Sequence, residues 1–134
     1  MTNNIFYIRI KNRDYTDYEF FARTHENAQL DVHPVEEKLF DGDMFTLDEN
    51  HEVTINQSAI RNEKCIPGVL VLQQNKTYGR TNNNKKRLLY QCIPHDTRLP
   101  QFVVPYEVTL EFSKCLSNKY VLFTFQQWTQ KHPE

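Results

Sequence analysis

The sequence contains only three glycines in 134 residues. A chain so poor in glycine must make most of its turns with Asn, Asp and Pro, which are plentiful here. Its three cysteines include no C-x-x-C pair, and this odd number predicts neither a zinc knuckle nor a disulfide framework. Cys92 and Cys115 lie in or next to apolar runs, so we expect them to be small buried side chains.

Long apolar runs are also missing. No segment approaches the length of a membrane span, and the first ten residues contain no signal-peptide core. The sequence therefore predicts an intracellular, reduced and cytoplasmic protein without membrane contact. If the chain is virus-encoded, the setting would be the host cytoplasm or the virion.

Motifs that carry enzyme chemistry are absent from the sequence. It contains no G-x-S-x-G, no P-loop and no H-E-x-x-H, and its five histidines lack the spacing of metal ligands. Asp41-Gly42-Asp43, with His33 upstream, is interpreted as a tight turn rather than as a metal site. The residues themselves predict no catalytic group, no metal ligand and no cofactor.

The net charge of −1 conceals an uneven distribution. Residues 1–65 contain 7 Lys and Arg against 13 Asp and Glu, whereas residues 66–134 contain 9 against 4. The two halves therefore carry about −6 and +5. Such a split predicts two surfaces of opposite character, although opposite halves that simply attract each other would show the same pattern.

Short runs of aromatic and β-branched residues, and no long segment with a helical period, predict an all-β fold. We expect about five strands in each half and a boundary near residue 65. This size fits two small OB-like, cold-shock-like β-barrels in tandem, over 1–65 and 66–134, the first of which could be incomplete. The predicted strands are Ile5–Ile10, Tyr15–Ala22, Leu30–Val32, Met44–Leu47, His51–Ile60, Val69–Gln73, Thr77–Arg80, Arg87–Ile93, Phe102–Tyr106 (extended over Glu107–Glu111) and a central Tyr120–Trp128.

The second half also holds the candidate binding residues. Single-stranded nucleic acid is bound by cations that follow the backbone and by flat rings on which bases stack. Two tyrosines on adjacent predicted strands could lie near each other and supply those rings, while Trp128 is expected in the core. Arg98 either contacts a phosphate or forms a salt-bridged corner with Asp96. The predicted RNA-binding residues are Lys76, Tyr78, Arg80, Lys85, Lys86, Arg87, Tyr90 and Arg98.

Several stretches in this half resemble one protein family. The cold-shock region that precedes the catalytic domain in the RNase II/RNase R family of exoribonucleases resembles four stretches of this chain: Ile66-Pro67-Gly68-Val69-Leu70, Leu88-Leu89-Tyr90, Ile93–Pro100 and Tyr120–Trp128. Leu39–Phe45 looks like the D-G-D turn that closes the preceding cold-shock domain. The run Lys76–Arg80 is most similar to versions from large DNA viruses. The resemblance covers about residues 39–130.

The resemblance implies a module that guides single-stranded RNA, without the family's catalytic centre. The aspartates that bind Mg²⁺ in that family would follow the region matched here, so this chain alone is not expected to be an enzyme. It would be either the N-terminal part of a 3′–5′ exoribonuclease, with a nuclease domain as partner, or a stand-alone RNA-binding relative. The alternative function is a structural or assembly protein, viral or not, that docks other protein subunits.

Overall fold

The computed structural model describes residues 5–24, 26–73, 76–81, 86–107 and 117–134. Within these ranges every regular element is a strand, apart from one helical turn, α1, at Ala59–Asn62. The predicted all-β fold is thereby confirmed. The chain divides into two compact units, the first comprising Met1–Glu63 with Thr97–Leu99 and the second Lys64–Asp96 with Pro100–Glu134.

The first unit is a five-stranded antiparallel sheet with the strand order β3-β2-β1-β4-β5. Strand β1 is central, and its alternating pattern buries Ile8 and Ile10 while Arg9 stays exposed. The rings of Phe20 and Phe45 complete this core and meet edge to face, with centroids 5.9 Å apart. The strands are β1 (Ile5–Ile10), β2 (Tyr18–Ala22), β3 (Asn27–Ala28), β4 (Met44–Leu47) and β5 (Val53–Gln57).

A tight turn at Asp41-Gly42-Asp43 precedes β4, as predicted. Gly42 has φ +82°, a left-handed conformation that glycine adopts at little cost. Asp41 Oδ1 accepts a hydrogen bond of 2.7 Å from the backbone N–H of Ile10, and Asp43 Oδ2 accepts one of 2.8 Å from that of Phe40. Both carboxylates are therefore used to hold the backbone of this unit.

The second unit is also a five-stranded antiparallel sheet. Strand β8 is its centre, because Cys92 pairs with Leu70 of β6 on one side and with Phe102 of β9 on the other. β7 pairs with β8 on the side where β6 also pairs, further along β8. β10 pairs with the side of β6 that faces away from β8. The strands are β6 (Ile66–Leu70), β7 (Thr77–Arg80), β8 (Leu88–Pro94), β9 (Phe102–Pro105) and β10 (Lys119–Phe123).

Alternation along β8 gives this sheet two different faces. One face forms the core, in which Cys92 is fully buried, as predicted, and the rings of Phe102 and Phe123 lie 4.9 Å apart. Burial raises the pKa of the Cys92 thiol to about 12, so this side chain is an inert apolar filler. The other face carries Leu89 and Val103, and residues 124–134 fold back onto it. The core face thus fixes the sheet that positions the candidate site.

The last strand differs most from its prediction. The predicted strand Tyr120–Trp128 is confirmed over Tyr120–Phe123, but β10 ends at Phe123. Its predicted central position is wrong, since among the described strands β10 pairs only with β6. Tyr120 is 84% exposed and Leu122 67% exposed, because only the alternate residues of β10 face the core. Trp128 is buried, as predicted, but it lies in the irregular segment after the strand.

Smaller differences concern strand boundaries. The third strand is Asn27–Ala28 instead of Leu30–Val32, because β2 turns back at once and Ala22 donates its N–H to the carbonyl of Glu26. The expected strand His51–Ile60 ends at Gln57, where Ser58 caps α1 by accepting the N–H of Arg61. The predicted extension of the strand beyond Glu107 lies outside the described residues, and so does Cys115, which was expected to be buried.

Neither sheet is closed into a barrel by a pairing between described residues. The OB-like barrel therefore stays a prediction. No helix in the described part of the chain is both long and apolar enough to cross a membrane.

Candidate functional site

The site is built on the hairpin formed by β7 and β8. Thr77 pairs with Tyr90 and Arg80 with Leu88, and the register shifts by one residue between these two pairs. Beyond the strands, Thr81 donates its N–H to the carbonyl of Arg87 at 2.9 Å. The N–H of Arg87 in turn donates to the hydroxyl of Thr81 at 3.1 Å. These bonds fix cationic side chains on both arms of the hairpin.

One side of the hairpin forms a cleft of about 460 Å³, here named the basic cleft. Its cations are the exposed side chains of Arg80, Lys86 and Arg87, against a single acid, Glu107. Nη1 of Arg80 donates to the carbonyl of Lys86 at 2.8 Å, which orients the guanidinium across the two arms. A concave surface with three cations and one carboxylate suits an anionic ligand more than a neutral or basic one.

Tyr106 supplies an aromatic wall of the basic cleft. Its ring meets that of Tyr90 edge to face at 6.4 Å, and the ammonium of Lys119 lies 5.8 Å from its centroid. Tyr106 is half-buried, so part of its surface faces the cleft. Sequence reasoning missed this residue, which was assigned only to the end of a strand.

A second cleft of about 320 Å³ lies on the outer face of the sheet and is here named the histidine cleft. Its floor is apolar, with Leu89 of β8 and Val103 of β9. Arg80 lines both clefts, so one guanidinium connects them. The full lining of the histidine cleft is Tyr78, Arg80, Leu89, Val103, Gln127, Thr129, Gln130, Lys131, His132 and Glu134.

The segment 126–134 builds the rim of the histidine cleft. Gln127 and Glu134 exchange backbone hydrogen bonds of 3.1 and 2.7 Å, which close the segment into a loop. Val103 of β9 donates its N–H to the carbonyl of Pro133 at 2.8 Å, and the buried Trp128 anchors the loop. These contacts make residues 126–134 an ordered rim.

Tyr78 and His132 face each other in this cleft. Their rings are nearly perpendicular, at 86°, with centroids 5.7 Å apart. The ammonium of Lys76 lies 5.3 Å from the centroid of the Tyr78 ring, a cation–π distance. Burial lowers the pKa of His132, with further lowering by the nearby charges of Lys131 and Lys76. At neutral pH this imidazole is therefore uncharged, with one donor and one acceptor nitrogen.

The predicted stacking pair is separated by the sheet. β7 and β8 are adjacent, as expected, but Thr77 stands opposite Tyr90, so Tyr78 projects to the other face. Tyr78 lines the histidine cleft and Tyr90 the basic cleft. Tyr90 is only 7% exposed, which leaves no open ring face on which a base could stack. We therefore assign Tyr90 to the support of Tyr106.

The predicted phosphate contacts divide into two groups. Lys76, Arg80, Lys86 and Arg87 are all exposed on the hairpin of the second unit, while Lys85 lies outside the described residues. Arg98 belongs to the first unit, where its Nη1 lies 3.4 Å from Oδ2 of Asp41. The partner found for Arg98 is thus Asp41, which sequence spacing did not suggest, and the expected pair with Asp96 stays a prediction.

Among the residues that the structure describes, no group of three or more His, Cys, Asp or Glu is arranged to hold a metal ion. Comparison of the chain with protein-family models, curated proteins and solved structures gave no match. The resemblance to the RNase II/RNase R family accordingly stays a prediction.

Proposed function

We propose that the second unit binds single-stranded RNA along the β7–β8 hairpin. The observation that carries the proposal is the arrangement of Arg80, Lys86 and Arg87 around a cleft walled by the ring of Tyr106. Cations spaced along a groove neutralise phosphates, and an aromatic wall stacks bases at ~1–3 kcal/mol each. This is the combination that binding of single strands requires.

In this proposal Arg80, Lys86, Arg87 and Lys76 contact phosphates, joined by Lys85 on the basis of its place in the same basic run. Tyr106 and Tyr78 replace the predicted pair Tyr78 and Tyr90 as the rings available to bases. Arg98 is excluded because its guanidinium is paired with Asp41 in the first unit. The chain acts as a binding module, in keeping with an RNA-guiding role beside a nuclease domain.

The proposal is tested by the salt dependence of RNA affinity. Binding of a fluorescein-labelled single-stranded RNA is measured by anisotropy from 50 to about 300 mM salt, a range over which phosphate contacts dominate the change in affinity. For the double variant Lys86→Ala/Arg87→Ala we expect weaker binding to all sequences. The slope of log affinity against log salt should fall by about 1.4, since each lost contact contributes about 0.7.

A matched control removes the same charge elsewhere. Arg9→Ala/Arg23→Ala deletes two exposed cations of the first unit and should leave affinity and slope unchanged. Equal effects of the two double variants would show that net charge alone governs binding. Absence of a salt-dependent affinity in the wild-type protein would reject RNA binding altogether.

Docking of a protein partner is a second candidate function, favoured by one observation. Tyr120 and Leu122 alternate along β10, so both project from the same face of the sheet, and they are among the most exposed large apolar side chains of the described residues. Such a pair suits an apolar protein surface. Loss of a stable protein complex in Tyr120→Ser/Leu122→Ser, with RNA affinity intact, would distinguish this function from RNA binding.

A further inference from the structure

The histidine cleft differs in chemistry from the basic cleft beside it. Its floor is apolar and its rim carries the neutral side chains of Gln127, Thr129 and Gln130. At about 320 Å³ it has the size of a small-molecule site, for which roughly 300–1,000 Å³ is typical. Its neutral amide and hydroxyl side chains distinguish it from the basic cleft, whose polar lining consists of three cations, one acid and two tyrosines.

Polar groups at the rim are held in place by the fold. Nε2 of Gln127 donates to Oε2 of Glu134 at 3.1 Å, which fixes the orientation of this amide. His132 is held against Tyr78 and presents an uncharged ring at neutral pH. Amide, hydroxyl and imidazole groups above an apolar floor are the groups that hydrogen-bond the edge of a flat heterocycle.

Three charged side chains line this cleft, and they are of both signs. Arg80 connects it to the basic cleft, and Lys131 lies on the rim. The carboxylate of Glu134 also lines the cleft and would repel a phosphate placed beside it. An occupant with a neutral flat body and an anionic chain at its margin fits this distribution.

From this geometry we propose that the histidine cleft receives one unstacked base of the bound RNA. The base lies against the half-buried ring of Tyr78, above the floor of Leu89 and Val103. Its edge meets Gln127 and His132, and the adjoining phosphate lies near Arg80. This inference rests on the proposed RNA binding and adds a base-dependent contact to it. Single-stranded RNA is commonly recognised by bases splayed out of the strand in this way.

The test compares RNA with and without bases. Affinities are measured by anisotropy for a labelled twelve-nucleotide oligouridine and for an abasic ribose-phosphate chain of the same length. The wild-type protein should prefer oligouridine. His132→Ala should reduce that preference by about fivefold to 150-fold, the range for one base contact, and should leave binding of the abasic chain unchanged.

Two further variants keep the test decisive. His95→Ala removes an exposed histidine of the same unit that does not line the cleft, and it should retain the wild-type preference. Gln130→Ala changes an exposed rim residue that folding does not require, and it should lower the preference in the same direction as His132→Ala.

The outcomes separate the two proposals. The base site would be overturned if His132→Ala and Gln130→Ala weakened binding of oligouridine and of the abasic chain equally, or if they had no effect on either. Salt-dependent RNA binding by the wild-type protein would still support the proposed function in that case. Failure of the wild-type protein to bind either chain would overturn the proposed function itself.

Discussion

The two units use their ionised side chains differently. In the first unit Asp43 is fully buried, and Asp41, which is also largely covered, is 3.4 Å from Arg98. In the second unit Arg80 and Arg87 are exposed and line a cleft. Both units are five-stranded antiparallel sheets, so the sheet itself does not decide this difference.

The contrast shows which charges are available for a ligand. A carboxylate taken out of water must be compensated within the protein, and Asp41 and Asp43 obtain that compensation from backbone N–H groups. An exposed cation keeps its hydration and can exchange it for a phosphate. The net charges of −6 and +5 predicted that cations would be available in the second half of the chain. The burial of Asp43 shows that part of the acidic charge of the first half serves the fold.

Removal of a core ring from the second unit should cause the largest decrease in the free energy of unfolding. Phe102 is fully buried against Phe123, so Phe102→Ala leaves a cavity and should lower the free energy of unfolding by ~3–5 kcal/mol. Phe45→Ala is the matched change in the core of the first unit. Denaturant titration measures both, and a loss below about 1 kcal/mol for either would contradict the cores described here.

Substitutions at two glycines, one in each unit, distinguish the cost of steric crowding from the cost of an unfavourable backbone conformation. A Cβ at Gly68 would lie 2.9 Å from the backbone oxygen of Ile93 and 2.9 Å from the Phe123 ring. Gly68→Ala should therefore cost ~1–3 kcal/mol. Gly42 has open space around it but φ +82°, so Gly42→Ala should cost ~1–2 kcal/mol through backbone strain alone.

Asparagine distinguishes these two causes. Gly42→Asn should recover part of the loss, because Asn tolerates the left-handed region, whereas Gly68→Asn should be worse than Gly68→Ala. Thermal unfolding of the four variants gives the ranking. Equal rescue at both positions would mean that crowding at Gly68 does not control its cost.

The buried acid of the first unit should make its stability depend on pH. Burial is the main cause that raises the pKa of Asp43 above its ordinary value of 3.8. The folded protein therefore keeps this proton at pH values where the unfolded chain has released it. The resulting stabilisation is complete below pH 3.8 and is lost as the pH rises through the higher folded value.

Asp43→Asn removes that titration. The free energy of unfolding of the wild-type protein, relative to this variant, should decrease as the pH is raised from 3.5 to about 7, because the unfolded carboxyl ionises in this range while the folded one retains its proton to higher pH. Urea titrations at several pH values measure the difference. A constant difference across the range, or one that increases with pH, would contradict the assignment of Asp43 as a buried acid with a raised pKa.

Loss of the pair between Arg98 and Asp41 should have the smallest consequence. The Arg98 side chain is 52% exposed, so Arg98→Ala should lower the free energy of unfolding by no more than ~1 kcal/mol. RNA affinity should not change. Arg80→Ala removes the same charge from the hairpin and should weaken RNA binding, and similar RNA affinities of the two variants would argue against the division proposed here.

Local patterns in the sequence predicted most of the strands. Ile5–Ile10 and Thr77–Arg80 have the expected bounds because alternation and turn residues act over a few positions. The D-G-D turn was correct for the same reason. The conformation of residues 124–134 depends on contacts with β9. The sequence indicated it only through Trp128, a large apolar ring among the otherwise polar residues 126–132.

The candidate site was partly predictable. The cationic run from Lys76 to Arg87 is visible in the sequence, and its described members are exposed. The face of the sheet on which Tyr78 and Tyr90 lie depends on the register between β7 and β8. That register shifts between Thr77 and Arg80, and no local sequence pattern reveals the shift. The same holds for the partner of Arg98, since Asp41 is distant in the sequence.

Mapping of the RNA contacts on the two units tests the central proposal most directly. Backbone amide NMR shifts would be recorded for the whole chain during titration with single-stranded oligouridine. We expect the shifts to concentrate in residues that line the two clefts, with Arg80, Leu89 and His132 among them, and to leave β1–β5 unchanged. Shifts confined to β1–β5, with the clefts unaffected, would contradict the assignment of RNA binding to the second unit.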